Sequence, residues 1–159
     1  VRSRNIVRYN VESASQMYEK CVEFFPKSDG AIMTAAVADF TPSVKLDYKM
    51  KRKCDIELTL KPTADIAAEM GRLKRDNQVL VGFALETNDE ETNAHHKLES
   101  KNLDFIVLNS LNDKGAGFMH DTNKITIIDR TGEVTPFSLK SKKEVARDIV
   151  DYLEKMMER

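Results

Sequence analysis

The order of apolar runs and helix-start signals predicts an α/β fold: a Rossmann-like three-layer sandwich with a mostly parallel sheet and a C-terminal antiparallel hairpin. Three observations carry that expectation. Continuous apolar runs at Ala31–Val37, Gln78–Leu85 and Leu103–Leu108 lack alternation, as strands covered on both faces do. Helix-like segments with recognisable caps separate them. Near the C-terminus two strand-like segments flank Arg130-Thr131-Gly132, where glycine suits a positive φ.

In chain order, Asn5–Val11 reads as a strand, and Ser13 caps a helix from about Ala14 to Phe25 that Pro26 and Ser28-Asp29-Gly30 end. The first buried strand follows, then a polar, basic loop over Asp39–Lys53. Asp55–Leu60 alternates as a strand with one wet face does. Thr63 is expected to cap a second helix through about Leu73, with Asp65 in its first turn. After Gln78–Leu85, Asn88 or Asp89 opens a charged helix ending near Lys101. Beyond Leu103–Leu108 and a loop rich in Asn, Asp and Gly, Lys124–Asp129 and Glu133–Leu139 form the hairpin. Ser141 caps a last helix to about Met157, and Glu144 completes a capping box.

The 159 residues form no internal repeat or linker, so residues 1–159 read as a single domain. The chain opens on Val1 without an initiator Met, which reads as a domain truncated at its N-terminus. A hydrophobic content of 41% with 32% charged residues fits a globular protein, and a net charge of -1 gives no field that draws it to nucleic acid. No apolar run reaches membrane-spanning length. Neither nucleic acid nor membrane is an expected partner. Cys21 and Cys54 have no metal-type spacing and are expected to be reduced thiols in a cytoplasmic protein.

Three stretches stand where an open parallel sheet binds ligands, beyond the carboxyl ends of its strands. Ala35-Ala36-Val37-Ala38-Asp39-Phe40 combines small residues with an acceptor at the rim. Val81-Gly82-Phe83-Ala84-Leu85-Glu86-Thr87 places Gly inside a strand and an aromatic face beside it. The basic set comprises Lys45, Lys49, Lys51, Arg52 and Lys53 in one loop, with Lys97 and Lys101 on one helix face. Converging cations would suit a triphosphate. Taken singly, the two strand ends are better explained by packing, and lysines are usually solvated. The chain has no phosphate loop of the G-x-x-x-x-G-K-[ST] type and no G-x-G-x-x-G turn, which removes a dinucleotide oxidoreductase. His95, His96 and His120 make no metal-type spacing, so metal ligands stay unassigned.

As an ordered set, these segments resemble the phosphopantothenoylcysteine synthetase domain of the bacterial coenzyme A decarboxylase/synthetase family. The matching residues are Ala35 through Phe40, Lys49-Met50-Lys51-Arg52, Thr63-Ala64-Asp65-Ile66, Val81 through Thr87, and Lys97 through Asp104. The resemblance implies a CTP-dependent ligase joining 4′-phosphopantothenate to cysteine through an acyl-cytidylate, with Mg²⁺ accompanying the triphosphate. It implies a nucleotide site lined by Met33, Thr34, Ala35, Asp39, Ala64, Asp65, Ile66, Ala67 and Phe83. Lys97 and Lys101 would meet phosphates, and Lys49 would be the catalytic loop lysine that closes over the nucleotide and the reacting centre. It further implies a homodimer, and FMN only on a separate decarboxylase domain outside this chain. The family's Gly-rich turn and an Asn-containing segment are expected upstream of Val1, so a non-catalytic nucleotide-binding module is the competing reading. Pro62 stands where the family often has a basic residue, with Lys61 one place earlier, and Ala64 stands where it often has Pro.

Overall fold

The computed structural model describes residues 5–49, 51, 55, 57–86, 89–110 and 120–158. Met50, Arg52, Lys53, Cys54, Thr87, Asn88 and the loop rich in Asn, Asp and Gly lie outside the described residues.

Local chemistry sets most element starts. Helix α1 (Ala14–Phe24) begins where the Ser13 side chain accepts the Gln16 N–H, and Pro26 turns its end into a short 3-10 helix, Phe25–Lys27. Strand β1 (Gly30–Met33) is followed by a two-stranded antiparallel arm, β2 (Phe40–Pro42) on β3 (Leu60–Pro62). Helix α2 (Ile66–Leu73), strand β4 (Val79–Glu86), helix α3 (Glu90–Ser100) and strand β5 (Phe105–Ser110) come next. Short β6 (Thr122–Asn123) precedes the hairpin of β7 (Ile125–Asp129) and β8 (Val134–Pro136). Asp129 receives the N–H groups of Thr131 and Glu133, and Gly132 takes φ 87°. Then β9 (Lys140–Ser141) pairs with β6 and leads into α4 (Lys142–Met157), whose Ser141–Glu144 capping box is fully formed.

The main sheet has the order β1-β4-β5-β7-β8. β1, β4 and β5 run parallel, while β7 and β8 are antiparallel. Residues on alternate sides of each strand feed two cores. Leu80, Ala84, Ile106 and Leu108 face the side of α2 and α3, where Met70, Ala94 and Leu98 meet them. Val79, Val81, Phe105, Val107 and Ile127 face Val145 and Ile149 of α4. The expected three layers with a parallel centre and a closing hairpin are therefore present.

Four expectations change. Asn5–Val11 does not form a strand, and Tyr9 stacks on Phe24 at 4.5 Å instead. The strand expected over Ala31–Val37 stops at Met33, because the chain leaves β4 in a tight turn with Val37 N–H on the Ala35 carbonyl. The strand expected over Asp55–Leu60 is instead assigned, among the described residues, over Leu60–Pro62, with the Thr59 carbonyl also accepting the Ser43 N–H. Thr63 does not cap α2. Asp65 does, accepting the Ala68 N–H at 3.0 Å.

At the amino ends of the strands a polar knot with a buried Lys74–Asp104 centre ties the layers together. Asp104, just before β5, accepts the Leu80 N–H at 2.7 Å and the Lys74 ammonium at 2.8 Å. Asn102 donates to the Gly71 carbonyl and accepts from Arg130, both at 2.9 Å. Gly71 is required here, since a Cβ would stand 1.9 Å from the Lys101 carbonyl oxygen.

Candidate functional site

Where β1 stops at Met33 and β4 runs on, the sheet opens a cleft of about 180 Å³. Its main walls come from four elements, and Met17 of α1 and Ile106 of β5 complete the lining. The β1 end supplies Met33, and the turn after it supplies Ala35, Val37, Ala38 and Asp39. The entry to α2 supplies Thr63, Ala64 and Asp65, with Ile66 and Ala67 from its first turn. Gly82 and Phe83 come from β4, Lys97 and Lys101 from the far half of α3 and its end. Nearly all of the site residues expected from sequence therefore share one cavity.

Two do not enter it. Thr34 lines an adjoining hollow of about 740 Å³, which shares Ala35, Val37, Asp39, Phe83 and Lys97 with the cleft and continues to Asn109, Asn123 and Lys142. Lys49 is exposed on the segment between β2 and β3, and the cleft forms without it. Lys45 lines a separate hollow of about 450 Å³ on the arm itself.

The electrostatics of the cleft centre on one ion pair. The Lys101 ammonium lies 3.0 Å from Asp65 Oδ2, while the other carboxylate oxygen caps α2. Partial burial opposes ionisation of Asp65, yet the Ala68 N–H, the Lys101 ammonium and the Ala67 N–H together hold its carboxyl below the usual value. Asp39 is exposed and its backbone carbonyl accepts the Thr63 N–H at 2.8 Å. Phe83 is half-buried, lines both hollows and packs toward α4.

Glycine in β4 has a packing reason. A Cβ on Gly82 would come within 2.5 Å of Leu103 Cδ1, so the strand yields to that buried side chain. The Lys101-Asn102-Leu103-Asp104 stretch is likewise divided. Lys101 reaches the cleft, Leu103 is buried beneath Gly82 and lines the floor, and Asn102 and Asp104 build the knot at the other end of the sheet. Sequence reasoning missed Met17, Thr63, Asn109, Asn123 and Lys142 as lining residues. Thr63 carried the one usable signal, its place at the head of the Thr63-Ala64-Asp65-Ile66 segment; the others lie in no motif.

An open α/β sheet with a lysine- and acid-lined cleft at the carboxyl end of its parallel strands is the architecture of a small-molecule-binding domain. Residues 2–157 match the model of the DNA/pantothenate metabolism flavoprotein C-terminal domain, and the chain belongs to that family. It is 56% identical over 149 residues to a "Cysteine/Cysteine sulfinic acid decarboxylase" of an unknown prokaryotic organism, covering 93% of this chain and 42% of that protein. It is 45% identical over 141 residues to the coenzyme A biosynthesis bifunctional protein CoaBC of Bacillus subtilis (strain 168), covering 88% of this chain and 34% of that one. The chain thus spans less than half the length of either relative. Among solved structures, the C-terminal domain of a coenzyme A biosynthesis bifunctional protein CoaBC superposes with a TM-score of 0.77 at 37% identity, over 94% of this chain and 65% of that one. The DNA/pantothenate metabolism flavoprotein from Streptococcus pneumoniae, at 18% identity and a TM-score of 0.78 over 98% of this chain and 76% of that one, shares the fold.

Proposed function

We propose that this chain supplies the nucleotide-binding part of a CTP-dependent ligase that joins 4′-phosphopantothenate to cysteine in coenzyme A biosynthesis. The observation that carries the reading is the convergence of Asp39, Asp65, Phe83, Lys97 and Lys101 on one cleft, from segments more than sixty residues apart in sequence. Membership of the family and the CoaBC relatives support it.

In the proposed reaction the pantothenate carboxylate attacks the α-phosphate of CTP, forming an acyl-cytidylate and releasing pyrophosphate. The cysteine amine then displaces CMP and the amide forms. Mg²⁺ bound with the nucleotide would offset triphosphate charge. Lys97 and Lys101 offset phosphate charge, with Lys101 moving from Asp65 to the ligand. Lys49 acts from the arm once the carboxylate is present, stabilising charge on the acyl phosphate. A homodimer accords with the exposed Phe40, Val44, Tyr48, Leu58 and Leu60 clustered on the arm.

Calorimetry and product assays on the full-length protein test the reading. CTP is expected to bind more tightly than ATP, GTP or NAD, and pyrophosphate release is expected to need 4′-phosphopantothenate. Equal affinity for ATP and CTP would remove the cytosine assignment. Nucleotide binding without pyrophosphate release would leave a non-catalytic binding module. The decarboxylase relative adds one arm: CO₂ release from cysteine or its sulfinate without CTP would replace the ligase reading. Lys49→Ala is expected to bind CTP normally and lose turnover by about a hundredfold, the scale of one lost oxyanion donor.

A further inference from the structure

Beyond the cleft, the hollow of about 740 Å³ contains a cluster that the nucleotide reading leaves unused. Asn109 of β5, Asn123 of β6 and Lys142 of α4 line it there. Local pairing builds the cluster. Asn123 of β6 pairs with Lys140 of β9, and the Lys142 N–H donates to the Asp121 carbonyl at 2.9 Å, so the start of α4 is held beside Asn123. Asn123 Nδ2 donates to Asn109 Oδ1 at 2.9 Å, and Asn123 Oδ1 accepts the Lys124 N–H at 3.1 Å. Both asparagines are half-buried. These bonds engage both side-chain carbonyl oxygens and leave the Asn109 Nδ2 donors without a partner among the described residues. The Lys142 ammonium has no ion pair among the same residues. Unengaged donors beside one cation suit a ligand group with a single negative charge.

We propose that Asn109 and Lys142 form a subsite for the α-carboxylate of the cysteine substrate. This rests on the ligase reading and goes beyond it by placing the second reactant. Charge separates this subsite from those of the other reactants. The triphosphate, and the phosphate of 4′-phosphopantothenate, each carry more than one negative charge and call for more than one cation. One lysine with neutral amide donors matches a monoanionic carboxylate instead. The carboxylate of 4′-phosphopantothenate has to meet the α-phosphate, which places it on the side of Lys97 and Lys101. Phe83 and Lys97 line both the cleft and the hollow, so the two spaces are continuous. An amino acid anchored by its carboxylate at Lys142 therefore extends its amine toward the acyl group activated in the cleft. Asp39 lines the shared wall and complements the ammonium end of the same zwitterion.

The test is steady-state amide formation by the full-length protein, comparing Lys142→Ala and Lys142→Arg with wild type. The amine substrate is either cysteine or cysteamine, which lacks the carboxylate. Lys142→Ala is expected to raise the KM for cysteine about tenfold or more, the scale of a hydrogen bond to a charged group. The same variant is expected to use cysteamine as wild type does, and to keep the KM values for CTP and 4′-phosphopantothenate within about twofold. Lys142→Arg is expected to restore most of the cysteine affinity, since it keeps the charge. An unchanged KM for cysteine in Lys142→Ala would overturn this assignment and leave the ligase reading standing. An equal loss with cysteamine would show that the carboxylate is not the group held, and a loss confined to 4′-phosphopantothenate would move the lysine to the acid; either overturns it. Failure of wild type to form an amide from cysteine would overturn the ligase reading, and this assignment with it.

Discussion

Two aspartates make nearly the same bonds at opposite ends of α2. Asp104 accepts a backbone N–H from Leu80 and a lysine ammonium from Lys74. Asp65 accepts a backbone N–H from Ala68 and a lysine ammonium from Lys101. Burial separates them. The side chains of Lys74 and Asp104 are 6% and 11% exposed, whereas those of Lys101 and Asp65 are 28% and 50% exposed. Water competes little for the first pair, so it locks α2, β4 and β5 together. It competes well for the second, so that pair can open at small cost and release a cation to a ligand.

The largest expected effect comes from breaking the buried pair. Asp104→Ala leaves the buried Lys74 ammonium without its counter-charge, held by the Asn102 carbonyl alone, and strips the Leu80 N–H of its acceptor. Urea or thermal unfolding should show a loss of about 3–5 kcal/mol. A loss below about 1 kcal/mol would mean that the knot is solvated and that the contrast between the two ends is false.

Next in size is the exposed pair, read through binding. Lys101→Ala is expected to change folding stability by no more than about 1 kcal/mol. The same change should weaken CTP binding by about 1.5–3 kcal/mol, the scale of hydrogen bonds to charged groups, and Lys97→Ala should do likewise. Loss of stability without loss of affinity would turn Lys101 into a second structural lysine.

The smallest effect is on pH dependence. Asp65 has a folded-state pKa below its ordinary value of 3.8, so the unfolded chain takes up that proton first as pH falls. Its contribution is fully present above 3.8 and is lost as pH drops through the lowered folded value. Asp65→Asn should therefore be less stable than wild type at neutral pH and converge with it in strong acid. Parallel curves from neutral pH to strong acid would show that the Lys101 and Ala68 bonds do not favour the ionised form.

Much of this was legible beforehand. The apolar runs at Gln78–Leu85 and Leu103–Leu108 marked strands buried on both faces, and both proved central. The Ser13 and Ser141–Glu144 caps were read correctly, because each bond spans only a few residues. The cleft lining was anticipated through segments whose order resembled a known domain, although Thr34 lines only the neighbouring hollow and Lys49 lies outside. The strand expected over Asn5–Val11 failed for a different reason. Its apolar residues alternate acceptably, but pairing needs a neighbour, and Tyr9 found an aromatic ring on α1.

Sequence alone determined the order of the central strands and the Ser13 and Ser141 helix starts, since hydrophobic runs and side-chain capping act within a few residues of their source. Tertiary structure decided which residue of each segment turns toward the cleft. Lys101 and Asp104 are three residues apart and serve opposite ends of the sheet, because the turn between α3 and β5 packs against Gly71 and reverses the chain there. Asp65 took the capping role from Thr63 once α2 was seated on the sheet. Lys74 found Asp104 thirty residues away. Such contacts depend on how whole elements pack, and no local spacing encodes them.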